Sequence, residues 1–390
     1  MKVNLKFLLY MLCFIILTLP RINVPGFDTL IRVMNICKIM AVGIVLILFA
    51  LRKKKIDKFC WLVMFSFLSL SLSNLLNSMN PKTFLNVFIG NIAIVLLSFL
   101  LINDYKKVFL KSYSNYFLVL LVINFITVVY GVFYKTSYSI IYNSYFLGYD
   151  NRFIIYIIPT LIGFLKLKKI DPDNEKKYNT KLIFTYVVSI LSLYLVFSAS
   201  ALAVMIIMTI LYIIFKNSKI NFNARTLTIV AFIISFLISF FSFQNYFSFI
   251  IEQVLHKSMD LSYRTKIWEY AINKLLNNPL HILYGFGYFN GNNIFIILER
   301  LNLGVNHCHN LIINTLFFGG IIWLGIYMKI FSTISSAINK IRDKKEKLFF
   351  LCVYFGLLLL LIFDTFEQYT IYYFILYILY KLNVVGEENE

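Results

Sequence analysis

The stretch HNLIINTLFFGGIIWLGIYMKIF, His309 to Phe331, carries a single Lys, Arg, Asp or Glu, Lys329. A helix needs about 20 apolar residues to cross a bilayer. Leu, Ile, Phe and Trp fall on every face of this run, so it does not read as an amphipathic helix of a soluble core. Outward from it the same pattern recurs. Candidate spans lie at 5–20, 34–51, 59–76, 84–103, 116–134, 153–167, 182–199, 201–215, 226–244, 309–331, 348–364 and 370–382. Hydrophobic residues make up 60% of the chain and charged residues 14%, with a mean hydropathy of +0.79. A soluble domain would carry roughly a quarter charged residues. The expected fold class is an all-α integral membrane protein with about twelve transmembrane helices. No repeat breaks it, so residues 1–390 are expected to form a single polytopic membrane domain.

A net charge of +19 invites a nucleic-acid reading. The placement of the charge argues against one. Lys and Arg cluster in alternate connections, as in Arg52-Lys53-Lys54-Lys55, Lys168-Lys169, Lys176-Lys177 and Lys344-Lys345. The connections between them hold far fewer. That alternation follows the positive-inside rule and puts both termini in the cytoplasm. The basic surplus is then topology and contact with anionic membrane lipids, and no nucleic-acid partner is expected. The first span has no small-residue cleavage site before Pro20-Arg21 and is expected to be retained. The expected location is the inner (plasma) membrane.

Five scattered cysteines with no CxxC spacing point to neither a disulfide framework nor a zinc site. Cys308 sits between His307 and His309, but a tetrahedral metal site needs more ligands than this run supplies. No metal is expected. There is no P-loop or dinucleotide fingerprint, and no cofactor is expected.

Connections are short except for residues 245–308, an expected external loop between spans nine and ten. Loops of this length are usually functional. Ser262 can cap a helix over 263–277 that Asn278-Pro279 stops. Gly285-Phe286-Gly287 can let backbone approach a ligand. A second short helix is expected over 293–301. His309 ends this loop at the head of a span, and its imidazole can take a proton near neutral pH. Arg264 is either an interfacial cation paired with a headgroup or Glu269, or a clamp on an anion. Arg152, in Gly148-Tyr149-Asp150-Asn151-Arg152, is either neutralised by Asp150 or a second such clamp. His256 and His281 read as surface loop residues.

Arg264 and Trp268, then Asn278-Pro279, Gly285-Phe286-Gly287, His309-Asn310, Gly319-Gly320 and Gly325 follow in an order that resembles the O-antigen ligase and O-antigen polymerase superfamily. The resemblance covers about residues 148–330 and includes Asn151-Arg152. It implies a GT-C-like helical architecture and a glycosyltransferase with an external catalytic loop over 245–308. It also implies a glycan donor and acceptor linked to undecaprenyl pyrophosphate. By this resemblance His309, Arg264 and Arg152 are catalytic, while Asn310, Trp268, Tyr263, Gly285, Gly287 and His307 bind substrate. A chain-length regulator is a partner by the same analogy. The chain departs from the family at Phe197-Ser198-Ala199-Ser200-Ala201, where many members carry Ser-Arg-Gly. A third anion contact is therefore missing unless Arg21, Arg32 or Lys135 supplies it.

The implied reaction is polymerisation of lipid-linked repeat units into a surface polysaccharide such as O-antigen, capsule or exopolysaccharide. The sister reaction, ligation of the finished glycan to an acceptor, uses the same motifs. The Lys-, Asn-, Ile- and Phe-rich composition leans towards organisms without lipopolysaccharide, and so to polymerisation. A lipid-linked oligosaccharide flippase is the reading from another class. It should show internal repeats and charged central helices, whereas here Lys38 is the main charge within a span.

Overall fold

The computed structural model describes residues 4–20, 28–52, 55–79, 81–134, 144–218, 222–241, 246, 248–249, 252–253, 264–288 and 307–384. The helices are α1 (Leu5–Thr18), α2 (Asp28–Ala50), α3 (Lys58–Leu76), α4 (Pro81–Tyr134), α5 (Ile154–Ile170), α6 (Glu175–Leu195) and α7 (Ala199–Phe215). They continue with α8 (Ala224–Phe241), α9 (Arg264–Leu276), α10 (Pro279–Tyr284), α11 (Leu311–Asn339), α12 (Lys344–Phe363) and α13 (Thr370–Val384). A two-residue ribbon pairs Ser144–Tyr145 with Gly148–Tyr149. Each expected span corresponds to a helix. The fourth and fifth run together in α4, which leaves helical geometry at Tyr105 (φ −139°, ψ 29°).

Six stretches are long and apolar enough to cross a membrane: Thr29–Ala50, Lys58–Leu76, Phe88–Phe133, Ala224–Phe241, Leu311–Asn339 and Lys344–Phe363. α1 and α7 are apolar but shorter. Large apolar side chains also point outward in number. Ile47, Phe65, Leu68, Ile229 and Ile233 are all more than half exposed, an arrangement that lipid covers and water penalises. The protein is an all-α, multi-pass membrane protein.

The chain divides into two compact units. One comprises residues 1–55, 89–211 and 369–390. Its centre is α13, with Tyr372 to Leu379 fully buried, and α5, buried on all faces from Ile154 to Phe164. Phe14 of α1 meets Phe109, Phe117 and Phe374 in edge or tilted ring contacts. Edge and offset geometries suit the ring quadrupoles. Arg52 pairs with Asp104.

The other unit comprises residues 56–88 and 212–368. Here α11 packs against α3 and α8. The Trp323 indole donates to Ser66 Oγ at 2.7 Å, and Ser73 Oγ donates to the Phe318 carbonyl at 2.8 Å. These two contacts fix α3 and α11 antiparallel. Tyr354 of α12 joins Thr228 and Ser335 through their hydroxyls.

The glycine pair in α11 does more than allow close helix packing. Gly320 sits at φ 66°, ψ −168°, a conformation that is essentially glycine-only. The helix breaks there. The freed Phe317 and Phe318 carbonyls accept from the Phe286 and Gly287 amides at 2.8 and 2.9 Å. A Cβ on Gly285 would lie 2.4 Å from the Phe318 backbone, and one on Gly320 would lie 2.3 Å from the Leu283 oxygen. Among the described residues nothing lies within 4 Å of a Cβ added at Gly325.

Candidate active site

The site lies where α9, α11 and the turn after α12 meet within the second unit. α9 forms because Ile267, Trp268, Ala271 and Leu275 recur at helical spacing, and these four residues are buried. Trp268 is 1% exposed, and its indole N–H donates to the Cys308 carbonyl at 2.7 Å. That bond ties the helix bearing Arg264 to the His307-Cys308-His309 run, across 40 residues of sequence.

Asn310 caps α11, its Oδ1 accepting from the Ile313 amide at 3.1 Å. Its Nδ2 lies 3.0 Å from each of Ser235 Oγ, Ser239 Oγ and the Ile362 carbonyl. Asn310 is fully buried. An amide saturated in this way anchors the head of α11, its donors and acceptor taken up within the protein. Trp268 is likewise a buried pin. The close approach at Gly285 is to the Phe318–Gly319 backbone, and at Gly287 it is to the Asn74 and Met79 side chains. His281, expected on the surface, stacks on Phe286 with centroids 4.0 Å apart and reaches Asn77 Oδ1 at 3.1 Å. Tyr263, Ser262, His256 and the expected helix over 293–301 lie outside the described residues.

His309 takes a left-handed conformation, φ 49°. Non-glycine residues do so at a cost of roughly 1–3 kcal/mol, and such strain clusters at functional sites. The turn brings the His307 and His309 rings to 4.0 Å between centroids. Both face Asp364, the residue just past α12. His309 Nδ1 lies 3.4 Å from Asp364 Oδ1, and His307 Nε2 lies 3.7 Å from the same oxygen. Asp364 Oδ1 also accepts from the Thr365 amide at 2.8 Å, which orients the carboxylate. Behind it, Asn314 Nδ2 approaches Glu367 at 3.4 Å, and its Oδ1 accepts from the Cys308 amide at 3.0 Å.

Burial pushes the His309 imidazole down to about 4. Asp364 opposes this shift, and the charges of His307 and Arg264 add to it. Burial alone would raise the Asp364 carboxyl, but the two facing imidazoles outweigh it and hold the carboxyl well below the usual carboxylate range. Both shifts describe one state at neutral pH, a neutral His309 beside a charged Asp364. Burial, with the Asp364 charge adding, lifts Glu367 to about 7. Burial and then Glu367 raise the Cys308 thiol, which stays protonated. With Nδ1 turned to the carboxylate, His309 Nε2 is the ring nitrogen left to meet a substrate.

Asp364 is the residue the sequence reading missed. A signal existed in Phe363-Asp364-Thr365-Phe366-Glu367, an acidic pair in the short turn between α12 and α13. Among the described residues, the donor atoms of His307, His309 and Asp364 lie within 4.8 Å of one another, close enough to hold a metal ion. The expectation of no metal was argued from Cys308, and Cys308 is not part of this group. Three protein ligands with an open position is a catalytic type of metal site.

Arg152 belongs to the first unit. Its guanidinium lies over the rings of Tyr149 and Tyr369, 4.7 and 4.8 Å from their centroids. Aromatic faces hold the cation while its N–H edges keep their hydrogen-bonding geometry. The neighbouring Asn151 Oδ1 accepts from Ser198 and Ser200 at 2.8 and 2.9 Å. The two serines at the departure from the family pattern thus brace the Asn-Arg pair. Arg32 is exposed on α2, and Arg21 and Lys135 lie outside the described residues.

Residues 184–328 match the family model described as O-antigen ligase. Over this segment the chain is similar to the O-antigen ligase/polymerase superfamily. The superfamily segment contains Arg264, Trp268, His307, His309 and the three glycines of α11. Arg152 and Asp364 lie outside it. No curated protein and no solved structure matches the chain.

Proposed function

We propose that the protein polymerises oligosaccharide repeat units, carried on undecaprenyl pyrophosphate, into a surface polysaccharide at the outer face of the membrane. The coarser statement rests on the family match and the apolar helices: this is an O-antigen ligase/polymerase-type membrane enzyme of surface-glycan assembly. The observation that carries the reading is His309 Nδ1 held 3.4 Å from Asp364 Oδ1, with Arg264 near enough to act on the imidazole, at the head of a span.

In this reading the acceptor sugar hydroxyl gives its proton to His309 Nε2 as its oxygen attacks the anomeric carbon of the donor. The bond from that carbon to the carrier pyrophosphate breaks. Charge develops on the leaving pyrophosphate, where guanidinium groups are most useful. Arg264 is one of them, and Arg152 is the second by family resemblance. Asp364 stabilises the imidazolium that forms. The expected topology of twelve spans, both termini inside and a GT-C-like arrangement, places the loop where a flipped lipid-linked donor arrives. Ligation to a separate acceptor would use the same groups.

The test is glycan transfer by the full-length protein in proteoliposomes, given a lipid-linked repeat unit as the sole glycan, with and without EDTA. A ladder of lengthening chains supports polymerisation. Product formed only after a second acceptor lipid is added assigns ligation. Movement of the lipid-linked unit across the bilayer without any new glycosidic bond overturns the enzyme reading. Activity that survives EDTA supports the imidazole–carboxylate base. Activity lost to EDTA and restored by a divalent cation gives the three donors to a metal.

A further inference from the structure

An open trough of about 580 Å³ runs along the face of the second unit between α3 and α11. Leu62, Phe65, Leu72, Ile322 and Ile326 are among its lining residues. Gly325 leaves part of its wall bare, since an added Cβ there would meet nothing within 4 Å. A trough of this volume is within the range that holds small ligands, and its lining is that of a hydrocarbon site. Two polar side chains line it: Ser69, whose hydroxyl donates to the Ser66 carbonyl, and Lys329, whose charge decides what fills it. Lys329 lines the trough and is exposed. Among the described residues its ammonium has no hydrogen-bond or ion-pair partner, and only its carbonyl accepts a bond, from Thr333.

Depth fixes where that ammonium sits. From the break at Gly320 to Lys329 is nine residues, or about 14 Å of helix, close to half of a bilayer core of about 30 Å. The head of α11, with His309, lies beyond Gly320 in the other direction. The antiparallel pairing set by Ser66–Trp323 and Ser73–Phe318 brings the Lys58 end of α3 to the same level as Lys329. Lys58 is also exposed. With α3 and α11 crossing the bilayer side by side, the trough lies in the leaflet remote from the candidate active site, with Lys329 in its lining and Lys58 at the same level of α3. Lysines at that level reach for phosphate at the interface.

We propose that this trough holds an anionic glycerophospholipid of the leaflet opposite the active site, with an acyl chain along Gly325 and the headgroup phosphate on Lys329. A polyprenyl donor fits less well. Its pyrophosphate belongs beside His309, so its tail would set hydrocarbon against the Lys329 charge.

The probes are phosphatidylglycerol and phosphatidylcholine of matched chains, and undecaprenyl phosphate. Delipidated full-length protein is reloaded with each, and the retained lipid is counted by native mass spectrometry. The wild type should retain phosphatidylglycerol over phosphatidylcholine by roughly fivefold, the preference one lysine near an anionic headgroup supports. Lys329→Gln should bring the two to parity, and Gly325→Leu should lower retention of both. If Gly325→Leu fails to accumulate, Leu68→Phe narrows the trough from an exposed position on α3. Equal retention of both phospholipids by the wild type overturns the proposal. So does preferential retention of undecaprenyl phosphate, and so do variants that retain what the wild type retains.

Discussion

Replacing Asp364 by Asn keeps the shape of the side chain and removes its charge. The amide oxygen can still accept from the Thr365 N–H, now bonded at 2.8 Å, so the turn after α12 should survive. The attraction between Asp364 and the imidazolium that forms on His309 is lost. At 3.4 Å and an effective dielectric of about 20, that attraction is about 5 kcal/mol. His309 keeps 23% of its side chain exposed, so solvent screening trims the figure to about 2.5–4 kcal/mol. The rate of glycan transfer by Asp364→Asn should therefore fall roughly 10²–10³-fold, with protein abundance in the membrane unchanged. The assay is a transfer time course on purified protein, normalised to folded protein by gel filtration. Turnover within about threefold of wild type would refute the reasoning, because the carboxylate would then do nothing for the base.

Arg264→Lys should lose most activity at normal abundance, because an ammonium keeps the charge and loses the two-pronged donor geometry; near-wild-type turnover would reduce Arg264 to an interfacial cation. Glu367 titrates at about 7 in the folded chain against 4.5 for the free group. The folded state therefore holds the extra proton between these values, and this stabilising contribution is full below about 4.5 and lost as pH rises through about 7. It amounts to at most about 3 kcal/mol. Glu367→Gln should remove it, so the Tm advantage of the variant over wild type should grow from about pH 5 to about pH 8; a gap that stays constant over that range argues against a buried neutral acid. Gly320→Ala should cost about 1–3 kcal/mol for its backbone alone, besides the clash with Leu283. Gly325→Ala should be neutral, or stabilising by up to about 1 kcal/mol. Equal Tm values for the two variants would contradict the break at Gly320.

The helices were legible in the sequence, six of them long and apolar enough to cross a membrane, because lipid imposes one rule on every face of a helix and length does the rest. What the rule does not encode is a break inside a span. Gly319-Gly320 reads as a packing motif, while the open conformation of Gly320 follows from its neighbours Leu283 and Phe318, which are distant in sequence. Part of the candidate site was legible. His309 and Arg264 stood out because a titratable or charged group at a span end needs a reason. Asn310, Trp268 and the 285–287 glycines stood out for the same positional reason, yet their polar groups and close contacts turn out to be taken up by the protein itself. Asp364 escaped notice because its meaning depends on a left-handed turn at His309 that brings two imidazoles to one oxygen, and no spacing within the sequence announces that.

The most direct test of the central claim is the transfer rate of His309→Ala, measured beside His307→Ala in the same membranes. General base assistance is typically worth 10²–10⁴-fold. His309→Ala should lose about that factor while the protein remains at normal abundance. His307→Ala should lose far less, because its ring faces the same Asp364 oxygen from 3.7 Å and is not the proton acceptor. Polymer made by His309→Ala at close to the wild-type rate would contradict the account and leave the reaction to the arginines and substrate positioning.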